Sequence, residues 1–566
     1  MALACHGVVE SQFRVLSGSI PVSLKGAPYA ERRADDLLAS LDGSGLLVGG
    51  QSFPYKSYPH VSGHVASAYC TSPFAQSGQP AFCLVWDGGI VPRLYHVERH
   101  HARHVDCLFP VIGHIYAAAG HHFGPYKKPG GARWDLGVAG KLMAYIALGS
   151  VDEDIVEVFR ELYQARFAGD TECAQAYREN IHSADASLAA VGEFFEASAL
   201  RLEAKPPEDV LASFHVFLER LLVHEMGIAL QRHSIAGPKN LCVAGGCGLN
   251  IKWNSALRAS GLFDAIWVPP FPNDSGSAIG AACCALAAEK GFVPLEWSVY
   301  SGPALKGCQV PPGWTASTCS IAELASILAS SKPVIFLAGR AELGPRALGG
   351  RSILAAATLP TMKDHLNDIK FREHFRPVAP ICLEDRAPTI FSPGSPDPLY
   401  VVRSSDARGV ARKNPCRRAS RRICPIADHF KNFRASGGAT SGRIRKADGY
   451  SVALQHERQL SRTRFLPGRC FSLCVGTRRT CVVRWFVTDQ DWSFAVSRRN
   501  TFRYVAVRRL LTLQLSGQYD AVIVPAARSI ATVRRRSAGL PWLDFRKHLS
   551  PGRRLLIDPR NLDAIF

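Results

Sequence analysis

Two histidines one helical turn apart, His60 and His64 in YPHVSGHVASAY, are the first residues whose types and spacing could do chemistry. Side chains at i and i+4 of a helix project from one face, so both imidazoles can reach one metal ion. The same pair can equally be two polar helix residues with unrelated hydrogen bonds. Asp87 ends the apolar run AFCLVWD just before a Gly-Gly pair. A carboxylate there either shapes the turn or points at a bound cation. Asp274, in PPFPNDSGSAIG, stands where a helix begins and can serve as its N-cap.

A second chemistry-bearing stretch is GRAELGPRALGGRS, residues 339–352, which follows the apolar run PVIFLAG. It sets Arg340, Arg346 and Arg351 among tight glycine turns. Guanidinium groups make two-point contacts with phosphate and carboxylate oxygens, and glycines let a ligand approach the backbone closely. The alternative is that these arginines pair with Glu342 and Asp364 at the surface.

The elements that must hold these residues follow from local pattern. YPHVSGHVASAYCTSPF reads as the start of a helix, and AFCLVWDGGIVPRLYHV as a β-hairpin turning at Asp-Gly-Gly. NLCVAGGCGLNIKWN has the pattern strand, Gly-Gly turn, helix; AIWVPPFPNDSGSAIGAACCALAAEKG repeats that plan. Gly245 and Gly246 allow close backbone approach, and each following helix offers free N–H groups to an anion. Two such units behind a hairpin with a terminal aspartate suggest an actin-like ATPase core. The run YHVERHHARH matches no compact metal spacing and reads as a solvated strand or loop.

Composition bounds the remaining possibilities. The 566 residues suffice for two or three domains, and the net charge of +20 invites a nucleic-acid reading. That charge is confined to one end. Residues 1–400 hold 33 basic and 37 acidic side chains, whereas residues 401–566 hold 34 basic and 10 acidic ones. The tail has 30 arginines against 4 lysines, a single glutamate (Glu457), and neither heptads nor an amphipathic period. The 17 cysteines are scattered, and neither a secretory signal nor an apolar run of membrane-spanning length is evident. A cytoplasmic protein with reduced thiols, not associated with membrane, is the expectation.

HVSGHVASAYCTSPF, LVWDGG, VAGGCGLNIKWN, PPFPNDSGSAIGAA and GRAELGPRALGGRSI…MKDHLNDIKFREHFRPVAP, in this order, resemble the O-carbamoyltransferases of antibiotic and nodulation-factor biosynthesis. The resemblance covers roughly residues 58–391. It implies an α/β chain with an actin-like (ASKHA-type) carbamoyl-transfer domain over residues 1–300. The first part of a YrdC-like, carbamoyl-adenylate-forming domain would occupy 301–402, and an irregular tail 403–566.

By the same resemblance His60, His64, Asp87 and Asp274 bind an iron-like divalent metal. Gly245, Gly246, Asn250 and Gly276 cradle a nucleotide, and Lys141 matches a lysine-bearing loop. Arg346, Lys370 and Arg372 act on the small substrate, with Arg351 and Arg376 at the triphosphate. The implied cofactors beside the metal are ATP and Mg²⁺. The implied donor is carbamoyl phosphate, the acceptor a small-molecule, sugar or nucleoside hydroxyl, and a homodimer is among the expected partners. Two alternatives stand beside this reading. One is a tRNA threonylcarbamoyl transferase, which shares the fold and the histidine pair. The other is a nucleic-acid-binding protein using its basic tail, against which the lack of lysines and of any motif argues.

Two departures from the family pattern bear on activity. The front, MALACHGVVESQFRVLSGS, lacks the family's opening hairpin with its His-Asp pair, so it reads as truncated. The tail lacks the family's Asn-Thr-Ser-x-Asn strand end. Yet QHERQL, residues 455–460, admits codons that read N-T-S-A-N one base out of frame. A frameshift near residue 402 accounts for the arginine-rich composition over at least 403–484. It also predicts an incomplete adenylate-forming domain, which puts the activity of the chain in question.

Overall fold

The computed structural model describes residues 36–127 except 49, then 137–168, 184–304, 317–319 and 321–381, with short strand segments before and beyond them. The chain divides into two compact units. The first comprises Met1–Gly307, Thr318–Arg462 and Cys474–Val482; the second comprises Cys308–Ser317, Thr463–Leu473 and Val483–Phe566.

At the centre of the first unit lies β6 (Ala81–Asp87), every residue of which is buried. A strand so apolar on both faces must be covered on both. It pairs antiparallel with β7 (Ile90–Val97) across the expected Asp-Gly-Gly turn, and β7 with β8 (Ala102–Cys107). On its other side β6 runs parallel to β9 (Asn240–Ala244), which runs parallel to β10 (Ala265–Trp267). The sheet order is therefore β10-β9-β6-β7-β8.

The alternation of β6 assigns its side chains to two cores. Phe82, Leu84 and Trp86 pack into a large helical layer. That layer is built from α3 (His114–His122), α4 (Gly137–Tyr145), α5 (Glu153–Phe167), α6 (Ala184–Arg201) and α7 (Pro207–His233). Ala81, Cys83 and Val85 face the opposite core, shared with α1 (His60–Cys70) and α9 (Ser277–Lys290). Here α2 is the single turn Pro73–Gln76 and α8 is Ile251–Ala259.

Both expected strand–glycine loop–helix units are present. β9 leads through a 3₁₀ turn (Gly246–Leu249) into α8, and β10 through another (Asp274–Gly276) into α9. α1 and α9 cross where a Cβ on Gly280 would meet the carbonyl oxygen of Gly63 at 1.8 Å. Only glycine permits that approach, and it brings the histidine helix onto the helix that follows Asp274.

A second sheet, in the order β1-β5-β4-β3-β2, precedes α1. Its strands are β1 (Ala2–Ala4), β2 (Glu10–Arg14), β3 (Pro21–Lys25), β4 (Leu41–Val48) and β5 (Gln51–Tyr58). β2 and β3 pair antiparallel from Glu10↔Lys25 to Arg14↔Pro21. These two strands carry neither a histidine nor an aspartate, so they are not the family's His-Asp hairpin that the sequence was read as lacking.

Farther along, β11 (Val334–Ala338) pairs antiparallel with β12 (Arg351–Ala356). β12 pairs with β14 (Ala453–Gln455), which pairs with β13 (Ala379–Ile381). α10 (Ile321–Ala329) and α11 (Met362–Ile369) complete this region. β14 lies within the stretch expected to form the tail. Residues 453–455, ALQ, fill the space between β12 and β13, whose backbone edges each need a partner. In the second unit Phe494–Ser497, Thr501–Tyr504 and Ala531–Arg534 form a three-stranded antiparallel sheet. Such runs, rich in Val, Phe, Thr and Tyr, have the side chains that favour extended backbone even amid many arginines. Most of the residues of the reading-frame expectation, and most of the basic charge in the tail, lie outside the described ones. No helix among the described residues is long and apolar enough to cross a membrane.

Candidate metal centre and the loops around it

α1 carries His60 and His64 one turn apart, both wholly buried, with ring centroids 4.5 Å apart and planes nearly perpendicular. Asp87 comes from the end of β6 and Asp274 from the 3₁₀ turn before α9. The Nε2 atoms of the two histidines are 2.9 Å apart. His60 Nε2 lies 3.3 Å from Asp87 Oδ2 and 3.2 Å from Asp274 Oδ1; for His64 Nε2 the distances are 3.7 and 3.5 Å. One ligand atom from each of the four residues lies within 4.8 Å of every other, and no other such group occurs among the described residues. The sequence named four residues spread over more than 200 positions, and the fold brings all four together.

Burial and charge pairing act against each other in this cluster. Burial opposes a charge on His60, but its hydrogen bonds to Asp274 and Asp87, and their negative charges, outweigh burial and push its pKa up to about 9. His64 is raised for the same reasons against the same burial. Burial likewise opposes ionisation of Asp87, yet the two imidazoles hold its carboxyl well below the usual range. The two aspartates draw protons onto nitrogens that touch each other. A divalent ion would replace those protons, and two imidazoles with two carboxylates suit a first-row metal. Asp274, 56% exposed at its side chain, leaves one side of the cluster open.

The glycine loops act first on Asp87. A Cβ on Gly245, whose φ is 85°, would meet the Trp86 carbonyl oxygen at 2.3 Å. Gly246 donates its backbone N–H to Asp87 Oδ1. Asn250 caps α8, accepting from the backbone N–H groups of Lys252 and Trp253. Gly276 lies in the turn that carries Asp274, so close to Phe271 that a Cβ would meet its carbonyl oxygen at 2.3 Å. Sequence reasoning passed over His114. Its imidazole lies against Gly88, where a Cβ would approach Cε1 to 2.8 Å, and its backbone N–H donates to Gly88 O. Burial lowers its pKa despite Asp87 nearby. No spacing in the chain links position 114 to position 87; only the packing of α3 on the β6–β7 turn does.

The arginine-bearing loop docks on this same end of the sheet. Gly344, at φ 89°, approaches so closely that a Cβ would lie 2.0 Å from the Pro270 carbonyl oxygen. Arg346 Nη2 donates to Leu249 O at 3.0 Å, on the turn that begins with the glycine bound to Asp87. Arg351 donates to the carbonyl oxygens of Gly350, Pro303 and Gly339. Glu342 Oε1 accepts the backbone N–H groups of Leu348, Gly350 and Arg351.

Past α11, Lys370 donates its backbone N–H to Asn367 O, and Arg372 donates to Asn367 Oδ1 and Pro377 O. Arg376 Nη1 is 3.8 Å from Glu373 Oε2. Lys141 lies within helix α4, where the resemblance implied a loop, with Nζ 5.1 Å above the Tyr126 ring. The structure therefore groups Lys141 with Arg376, and Arg346 with Gly246 and Asn250. It does not gather all the expected substrate residues at one point.

Comparison with known proteins matches these regions to one family. The family model for the carbamoyltransferase N-terminus matches residues 4–283, and that for the carbamoyltransferase C-terminus residues 325–416. Nodulation protein U of Rhizobium tropici is 73% identical over 395 residues, covering 70% of this chain and 69% of that protein. Nodulation protein U of Bradyrhizobium diazoefficiens is 73% identical over 396 residues, 70% of each chain. The 3'-hydroxymethylcephem-O-carbamoyltransferase of Streptomyces clavuligerus is 31% identical over 369 residues, 64% of this chain and 66% of that one. The α/β fold and these matches agree: the chain belongs to the carbamoyltransferase family.

Proposed function

We propose that the protein is an O-carbamoyltransferase that makes carbamoyl-adenylate from carbamoyl phosphate and ATP and passes the carbamoyl group to an acceptor hydroxyl. The observation that carries this reading is the convergence of His60, His64, Asp87 and Asp274 beside two glycine turns at the end of β6. The antiparallel β6–β7–β8 meander continued by two parallel strands supports an actin-like core for the first domain. The second would be YrdC-like, from about residue 301. A divalent metal held by the four residues would supply a Lewis acid that orients the reacting oxygen.

The chain itself does the remaining work. Gly245, Gly246 and Gly276 admit the phosphate side of the nucleotide close to backbone N–H groups. Asn250 fixes the start of α8 behind them. Arg346, which reaches Leu249 O on that turn, balances the charge that grows on the adenylate phosphate as the carbamoyl–phosphate bond breaks. His114, kept neutral by burial, supplies an imidazole beside the Asp87–Gly88 turn. Arg351, Lys370, Arg372, Arg376 and Lys141 supply cations for ATP with its Mg²⁺ and for carbamoyl phosphate. In the first step water takes the phosphoryl group of carbamoyl phosphate as inorganic phosphate, and the carbamate oxygen so freed attacks the α-phosphorus of ATP and expels pyrophosphate. In the second the hydroxyl oxygen attacks the carbamoyl carbon and AMP leaves. Burial of two ligands limits access of water, which would otherwise hydrolyse the mixed anhydride. The name of the Streptomyces relative makes a hydroxymethyl group a fitting first acceptor to try.

The test supplies presynthesised carbamoyl-adenylate and a 3'-hydroxymethylcephem to the metal-loaded protein and follows AMP release with carbamate-ester formation. Release above the protein-free rate, lost in His64→Ala, is expected. Release at the protein-free rate from the unaltered protein would overturn the reading.

A further inference from the structure

The segment Phe371–Pro377, which carries Arg372 and Arg376, is held in a conformation it would not choose alone. Phe371 adopts φ 50° while 59% exposed. A bulky residue in the left-handed region is strained, and burial of its ring does not offset that here. Something else must hold the segment.

The holding contacts come from the helical layer, more than 200 residues away in sequence. Tyr126, just after α3, donates its hydroxyl to Glu373 Oε1 at 2.8 Å. The ring of Tyr145, at the end of α4, meets Phe375 edge-on at 5.4 Å between centroids. Lys141 stands over the Tyr126 ring, and Arg376 stands beside Glu373. Burial would push the Glu373 carboxyl up, but its backbone hydrogen bond, the Tyr126 hydroxyl, Arg376 and Lys141 together hold it below its ordinary range. The carboxylate is thus kept charged between two cations, with a phenol hydroxyl fixing its direction.

We propose that Tyr126 is a positioning residue: its hydroxyl fixes Glu373, and through it Arg376 and the strained 371–377 segment, for binding of the nucleotide triphosphate. This rests on the adenylate-forming reading above for its ligand, and on the geometry alone for the anchor. Tyr126 touches no substrate in this account. It acts by removing the freedom of a long guanidinium side chain, which otherwise costs affinity when a phosphate must order it.

Two measurements on the full chain test it. Tyr126→Phe removes one hydroxyl and keeps the ring under Lys141. Deuterium exchange of the backbone amides in 371–377 is expected to speed up several-fold in this variant, with residues 60–70 unchanged. Mg-ATP affinity, by calorimetric titration, is expected to fall about tenfold, as for a hydrogen bond to a charged group, with metal content unaltered. Glu373→Ala should reproduce the loss, and Glu373→Gln, whose amide oxygen still accepts from Tyr126, should recover most of it. Unchanged exchange in Tyr126→Phe overturns the anchor. Faster exchange with unchanged Mg-ATP affinity overturns the positioning role and leaves a purely structural contact. If the unaltered protein binds no Mg-ATP, the adenylate reading fails, and the exchange result alone decides for or against the anchor.

Discussion

The His/Asp cluster and the arginine loop lie at the same end of one sheet, yet they answer differently to the forces that place them. Each cluster ligand sits on or beside a regular element: two on one face of α1, one at the last position of β6, one in the turn before α9. Short side chains on rigid elements go where the backbone sends them. The arginines sit on turns, and their long side chains end on whatever carbonyl oxygens the packing presents, Leu249 O for Arg346 and three others for Arg351. Residue type specifies the chemistry in both regions. Only where the backbone is regular does spacing also specify position.

The largest effect should come from the cluster. His64→Ala removes one of four ligands from a buried group, and metal content measured by elemental analysis should drop from one equivalent per chain to near zero. Full metal content in that variant would break the contrast at once, because a legible site would then be no site.

A smaller effect separates the cluster's two states by pH. In protein stripped of metal, His60 has a folded pKa of about 9 against about 6.5 unfolded. A raised folded pKa stabilises fully below the unfolded value, and that contribution is lost as pH rises through the folded one. Stability of the stripped protein, from urea unfolding, should therefore fall between about pH 6.5 and pH 9, by up to about 3 kcal/mol for one such group. Metal-loaded protein, whose histidines carry no proton to lose, should show a much flatter profile. Identical profiles would mean that metal and protons do not compete for these nitrogens.

The smallest effect tests the loop. Arg346→Ala should slow AMP release from presynthesised carbamoyl-adenylate by about tenfold, corresponding to about 1.4 kcal/mol. Arg340→Ala is the comparison, because that guanidinium is exposed and, among the described residues, donates to Ser301 O; it should stay within about twofold. Equal effects would show that Arg346 serves the loop's fold and not the turn beside the metal site.

The sequence by itself determined the β6–β7 hairpin, the two strand–glycine–helix units, the four metal-ligand candidates and the family. These follow from period, turn residues and short motifs, which act over a few residues and survive any tertiary context consistent with them. Tertiary structure alone decided that His114 lies against the Asp87–Gly88 turn and that Arg346 reaches Leu249. It also decided that Tyr126 holds Glu373, that β14 enters a sheet from a tail with no readable pattern, and that Lys141 belongs to a helix. Each of these is a contact between residues far apart in sequence, or a place in a sheet filled because neighbouring strands leave hydrogen-bonding edges. Spacing carries no record of such contacts, since they arise only when packing closes the chain on itself.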